Sequence, residues 1–192
     1  MSVTSNTEAH EIRWHGRGGQ GAVTSAKVLA DAAFRSGFAG VTSQPSFGAE
    51  RRGAPITAST RLASEPLRIL SQVTEPDIIV VLDESLLEVA NATAGMKPGG
   101  TVIVNSPKPP ADFPVRADLH VVTSDVTGAA QAANLIVGGQ PMVSTAILGA
   151  FARATGLVTM ESVEAAIGHA FHGSAAAKNI DAARIAYECT RA

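Results

Sequence analysis

The chain alternates between short apolar runs and longer stretches with helical spacing. Residues 11–15, EIRWH, read as a first strand, followed at once by a glycine cluster. Ala22, Val23, Ala26, Leu29, Ala30, Ala33 and Phe34 then recur on one helical face, and Lys27, Asp31 and Arg35 lie four apart on another. Gly37 is placed to end that helix. VTSQ (41–44) reads as a short second strand, and PSFGAERRGAP (45–55) as a loop, too rich in glycine, proline and charge for the core. ITASTRL (56–62) alternates apolar and polar positions, as a half-exposed strand does. DIIVVL (77–82) is a continuous apolar run, the pattern of a strand covered on both faces. ESLLEVANATAG then predicts a helix, KPGG (97–100) a turn, and TVIVN (101–105) and LHVVTS (119–124) two further strands.

Beyond Asp125 the spacing turns helical. One helix is expected over 126–137, ended by Gly138 and Gly139, and an apolar one over 141–155. Another is expected over 161–171. In the last helix Ala176, Ile180, Ala183 and Tyr187 share a face, with Lys178, Asp181, Arg184 and Arg191 in solvent. Strands alternating with helices predict an α/β fold: a single domain with a mostly parallel sheet flanked by helices and a helical C-terminal third. Its bounds are expected at 11–192, after a flexible tail over 1–10. Such sheets bind ligands in loops at the carboxyl ends of their strands, and both HGRGGQG and PSFGAERRGAP follow strands.

Composition narrows the function. A chain of 192 residues with 45% hydrophobic and 17% charged residues is globular. A net charge of -2 and 4% aromatics give no reason to expect nucleic acid. The one cysteine, Cys189, excludes an internal disulfide and an iron–sulfur cluster held by this chain alone. It reads as a small side chain on the last helix. The polar N-terminus has no signal-peptide core, and no apolar stretch reaches the roughly 18 residues a bilayer needs, so no membrane role and a cytoplasmic location are the expectations.

Gly16, Gly18 and Gly21 satisfy G-x-G-x-x-G between a strand and a helix, where free N–H groups attract phosphate. A dinucleotide site also wants an acid at the end of the second strand, and VTSQPS has none. Ala22 and Val23 occupy the places where a P-loop needs Lys and Ser or Thr. The same glycines also serve tight packing of strand on helix. Arg51 and Arg52, between Gly48 and Gly53, can present guanidinium groups to phosphates or carboxylates, pair with Glu50, or meet another subunit. His15 ends the first strand and reads as a core histidine more readily than a base. His169 and His172 have a spacing that can serve metal, without a third ligand near them. Asp83 and Glu84 follow the most buried strand and suit the start of the next helix. There is no G-x-S-x-G elbow.

Three stretches together resemble the gamma subunit of the 2-oxoacid:acceptor oxidoreductases, the pyruvate:ferredoxin oxidoreductase family. They are GRGGQGAVTSAKVLADAA (16–33), SFGAERRGAP (46–55), and MVSTAILGAFARATGLVTMESVEAAI (142–167) with KNIDAARIAYE (178–188). Phe47 stands where Tyr is commoner, and Ser144 where relatives often carry Asn. The resemblance implies a multi-subunit enzyme that oxidatively decarboxylates a 2-oxo acid, pyruvate or another such as phenylglyoxylate, to an acyl-CoA. Thiamine diphosphate, Mg and iron–sulfur clusters are then expected on alpha, beta and ferredoxin-like partner subunits, with a flavin subunit possible. This chain lacks the G-D-G and downstream Asn of a thiamine diphosphate site. Its implied share is to shape the coenzyme A region, with Gly18, Gly19, Gln20 and Gly21 as one wall and Arg51 and Arg52 supplying charge or a subunit lock. Two alternatives remain: a stand-alone NAD(P)-binding protein of Rossmann type, and a purely structural assembly subunit.

Overall fold

The computed structural model describes residues 9–45, 52–67 and 71–192. Most of the expected tail, residues 1–8, lies outside them, and His10 already opens the first strand. Strand β1 (His10–Arg17) runs through the glycine-rich turn into α1 (Ala22–Arg35), which Gly37 ends with a left-handed φ of 100°. Then follow β2 (Gly40–Pro45), β3 (Pro55–Ala63), β4 (Ile78–Val81), the single-turn α2 (Leu86–Val89), β5 (Thr101–Asn105) and β6 (His120–Ser124). The C-terminal part holds α3 (Val126–Ala132), a small hairpin of β7 (Ile136–Val137) and β8 (Gln140–Pro141), α4 (Ile147–Thr155), α5 (Met160–Ala170) and α6 (Gly173–Glu188).

The main sheet has six strands in the order β2-β3-β1-β4-β5-β6. β1, β4, β5 and β6 are parallel, while β3 is antiparallel to both β1 and β2. The expected α/β fold with a mostly parallel sheet and a helical C-terminal third is therefore present, with an antiparallel edge. α1 and the C-terminal helices pack on one face. There Trp14 stacks on Phe151 at 6.1 Å between ring centres, and its indole N–H donates to Thr60 Oγ1 at 3.0 Å. α4 and α6 cross closely: a Cβ at Gly149 would stand 1.8 Å from the Ala183 carbonyl oxygen. Buried Ala182, Ala183 and Ala186 line that crossing, and Ile180 and Tyr187 pack half-buried against the core. Cys189 follows α6, half-buried, its Sγ 3.3 Å from Ser124 Oγ.

Three expected helices are shorter than their spacing suggests. ESLLEVANATAG makes only α2. Asn91 takes a left-handed φ of 44°, and the Arg13 guanidinium draws the carbonyls of Ala92 and Ala94, which a continuing helix would bond itself. The helix expected over 126–137 stops at Ala132. Asn134 is left-handed, and Ile136 and Val137 belong to the hairpin, so Gly138 and Gly139 (φ 57° and 79°) make its two-residue turn instead of a helix end. The helix expected from 141 begins at Ile147, because Pro141 pairs with Ile136 and the Met142 N–H donates to the Leu135 carbonyl.

Candidate functional site

The parallel strands β1, β4 and β5 deliver their carboxyl ends to one edge of the sheet, and the antiparallel β3 begins there. A cleft of about 1020 Å³ opens at that edge. Gly18, Gly19, Gln20, Arg52 and Gly53 form one side, Leu82, Asp83, Glu84, Asn105 and Thr127 the floor, and residues of the hairpin and the turn after it the other side. The two sequence-predicted loops thus meet. The Gly18 N–H donates to the Ala54 carbonyl at 2.8 Å, and the Gly53 N–H to the Gly18 carbonyl at 3.0 Å. Arg52 is exposed in the cleft wall; Arg51, with Phe47 and Glu50, lies outside the described residues.

Local bonding decides what this loop can offer a ligand. Gly18 gives its amide to Ala54, and Gln20 gives its own to the Arg17 carbonyl at 2.9 Å. The Gln20 Oε1 accepts the Arg17 N–H at 2.8 Å, so this side chain braces the turn as well as lining the cleft. Among the described residues that leaves the amides of Gly19 and Gly21 and of the first turn of α1 without a partner, and the N-cap residue, Gly21, has no side chain to cap them. Gly21 has a second duty. Its φ is 82°, and a Cβ there would lie 2.7 Å from Ser144 Cβ. The turn before α4 therefore presses against the start of α1, and Ser25 Oγ clamps it by donating to the Ser144 carbonyl at 2.7 Å. At position 144 the packing uses this carbonyl and a small side chain.

Among the described residues the cleft is lined by two acids, and both are already matched. Asp83 Oδ2 accepts from Arg17 Nε at 2.9 Å, and Asp83 Oδ1 takes both the amide and the hydroxyl of Ser85. Burial alone would raise the Asp83 carboxyl, but the bonds from Ser85 and Arg17 hold it below the usual carboxylate range. Glu84 is lowered too, chiefly by Lys108 at 2.6 Å and by Ser106. Asp83 and Glu84 thus shape the turn into α2, as expected. Arg52 makes no ion pair among the described residues, so the uncompensated charge that these residues bring to the cleft wall is positive. Asn105 fixes the floor by donating to the Leu82 carbonyl at 3.0 Å and accepting the Thr127 N–H at 3.1 Å. Sequence reasoning missed Arg17, Asn105 and the hairpin. Arg17 stands inside the glycine cluster, and Asn105 ends an apolar strand; both positions were signals.

Other predicted residues lie elsewhere. His15 is buried on the far face of the sheet. Its Nε2 accepts from Arg13 Nε at 3.1 Å, and burial first, then the Arg13 charge, pushes its pKa down to about 4. His169 pairs with Asp31 Oδ2 at 3.1 Å. Among the described residues no group of three or more His, Cys, Asp or Glu is placed to hold a metal ion, and no helix is long and apolar enough to cross a membrane. A dinucleotide site would place a second parallel strand with a terminal acid beside β1. Here the neighbours of β1 are antiparallel β3 and parallel β4, and β2 ends in Gln44 and Pro45.

A glycine turn between strand and helix, an arginine loop bonded to it, and a helical C-terminal third pressed against that turn define a class. The chain belongs to the family described as pyruvate ferredoxin/flavodoxin oxidoreductase, which it matches over residues 11–189. Within that family it is of the gamma-subunit type. It is 50% identical over 183 residues to the pyruvate/ketoisovalerate oxidoreductases common subunit gamma of Thermococcus kodakarensis, covering 94% of this chain and 96% of that one. It is 48% identical over 178 residues to the pyruvate synthase subunit PorC of Methanothermobacter thermautotrophicus, covering 93% of this chain and 94% of that one. Its fold matches the crystal structure of pyruvate oxidoreductase subunit PORC from Thermotoga maritima with a TM-score of 0.79 and 34% identity, over 95% of this chain and 97% of that one. The fold also recurs in the 2-oxoglutarate:ferredoxin oxidoreductase of Magnetococcus marinus, at a TM-score of 0.73 and 19% identity, where this chain corresponds to 31% of the longer one.

Proposed function

We propose that this gamma-type chain works in a complex that oxidatively decarboxylates a 2-oxo acid to an acyl-CoA, and that its cleft receives the phosphates of coenzyme A. Pyruvate is the first candidate substrate, because both relatives at about half identity carry pyruvate in their names, one of them together with ketoisovalerate; phenylglyoxylate and other 2-oxo acids remain within the reading. Alpha, beta and ferredoxin-like subunits, with or without a flavin subunit, would carry the thiamine diphosphate, Mg and iron–sulfur clusters, and the whole would work in the cytoplasm. Those groups supply the decarboxylation and the electron path.

The observation that carries the reading is the electrostatic state of the cleft. Its acids are neutralised by Arg17 and Lys108, while among the described residues Arg52 has no ion-pair partner and the Gly19 amide at the cleft has no hydrogen-bond partner, with the N-terminus of α1 three residues further on. Such a wall suits a diphosphate or a sugar phosphate. The opposite wall is mostly apolar, with Val137, Pro141, Met142 and Val143, and suits the neutral part of a long ligand. Coenzyme A combines both kinds of surface. Binding its phosphates here would orient the thiol toward a partner's reaction centre, and this chain would contribute by positioning.

Arg52→Ala in the assembled complex tests the reading. The KM for coenzyme A should rise by about tenfold, as losing one charge-assisted bond implies, with the KM for the 2-oxo acid unchanged. An unchanged KM for coenzyme A in an intact complex contradicts it. Loss of the complex with normal coenzyme A kinetics in the surviving fraction would point to a purely structural subunit. Tight NADH binding by the chain would favour the Rossmann alternative.

A further inference from the structure

Arg17 ties together three of the loops around the cleft with one guanidinium group. Its Nε donates to Asp83 Oδ2 at 2.9 Å, one terminal nitrogen to the Gly53 carbonyl at 3.1 Å, and the other to Ser85 Oγ at 2.7 Å. The β1–α1 turn, the turn that carries Arg52, and the turn from β4 into α2 are thereby fixed to one planar group. Asp83 completes the tie by accepting the Ser85 amide at 3.1 Å. Arg17 and Asp83 are each about one quarter exposed at the cleft, and their charges cancel. Arg17 thus adds geometry to the site and little net charge, whereas Arg52 adds charge and, among the described residues, its turn is held to Gly18 through the backbone.

We infer that Arg17 is a positioning residue: it keeps the Arg52 turn seated over the glycine turn, so that the Arg52 guanidinium and the Gly19 amide address the same anion. This rests on the reading of the cleft as a coenzyme A site. A planar fork with fixed N–H directions can bridge three acceptors on two other loops; an ammonium on a flexible stem cannot hold the same set. Without the fork, the Arg52 turn keeps its two backbone bonds to Gly18 but loses its link to the β4–α2 turn.

The test uses the assembled complex carrying Arg17→Ala or Arg17→Lys, with two independent readouts. Hydrogen–deuterium exchange at Gly53 and Ser85 should accelerate in Arg17→Ala, and less in Arg17→Lys. The KM for coenzyme A should rise by about tenfold in Arg17→Ala and by a smaller factor in Arg17→Lys, with kcat within about twofold, because misplacing a binding group weakens capture without touching the reacting atoms. If Arg17→Ala disrupts assembly, Ser85→Ala removes one of the three ties and should give the same pattern at smaller size. Wild-type exchange at both amides overturns the inference, whatever KM does. Accelerated exchange with the coenzyme A KM unmoved, while Arg52→Ala raises it, also overturns it. If Arg52→Ala leaves that KM unmoved as well, the coenzyme A reading itself has failed.

Discussion

On the face of the sheet away from α1, β4 and β5 present Ile79, Val81, Val102 and Val104 to Leu86, Ala92, Met96 and Leu119. On that same face β1 and β3 present Arg13, His15, Ser59 and Arg61. The first half is closed by apolar side chains. The second is closed by guanidinium groups that hold crossing backbone: Arg61 donates to the carbonyls of Ser71 and Gln72, and Arg13 to those of Thr74, Ala92 and Ala94. Arg61 is almost fully buried and pairs with Glu11 at 2.7 Å. The difference teaches that one layer of a sheet can be sealed in two ways, and that the polar seal depends on each donor keeping its acceptors. It ought therefore to fail abruptly, and to be sensitive to pH, where the apolar seal is graded.

The sharpest way to break the comparison is Arg61→Ala. It leaves the Glu11 carboxylate and two carbonyls without their donor, and should cost about 3–4 kcal/mol in denaturant unfolding. A loss below about 1 kcal/mol would mean that water replaces the guanidinium freely. The pH dependence is next. His15 has a folded pKa of about 4 against 6.5 for a free histidine, so the unfolded chain binds the proton first as pH falls. Folding stability is then full above pH 6.5 and declines between 6.5 and about 4, by about 3 kcal/mol in all. His15→Gln should flatten that part of the stability–pH curve; an equally steep curve in the variant would assign the slope to other groups. The smallest effect belongs to the apolar half, where Ile79→Val should cost about 1 kcal/mol at every pH.

The same contrast explains what could be read from the sequence. The apolar runs at 77–82 and 101–105 gave away β4 and β5, because a strand covered on both faces has no polar side to confuse the pattern. The direction of β3 was hidden, since alternation reports a half-covered strand and not which way it runs. The helix expected over 84–95 was lost to Arg13, 79 residues upstream of Ala92, whose claim on that carbonyl no local window can see. In the cleft, the glycine turn and Arg52 were legible because loops at strand ends have local signatures. The tie from Arg17 to Asp83, 66 residues apart, and the wall supplied by the hairpin were not, because both exist only once the chain has folded.

The most direct test of the account is a hydrogen-exchange footprint of the intact complex with and without coenzyme A. Slowed exchange at Gly19, at Gly21 through Thr24, and around Arg52 and Gly53, with Ser71 to Thr74 on the polar face unchanged, is the predicted result. Protection confined to other subunits, with the amides of Gly19 and the first turn of α1 exchanging as before, would contradict it.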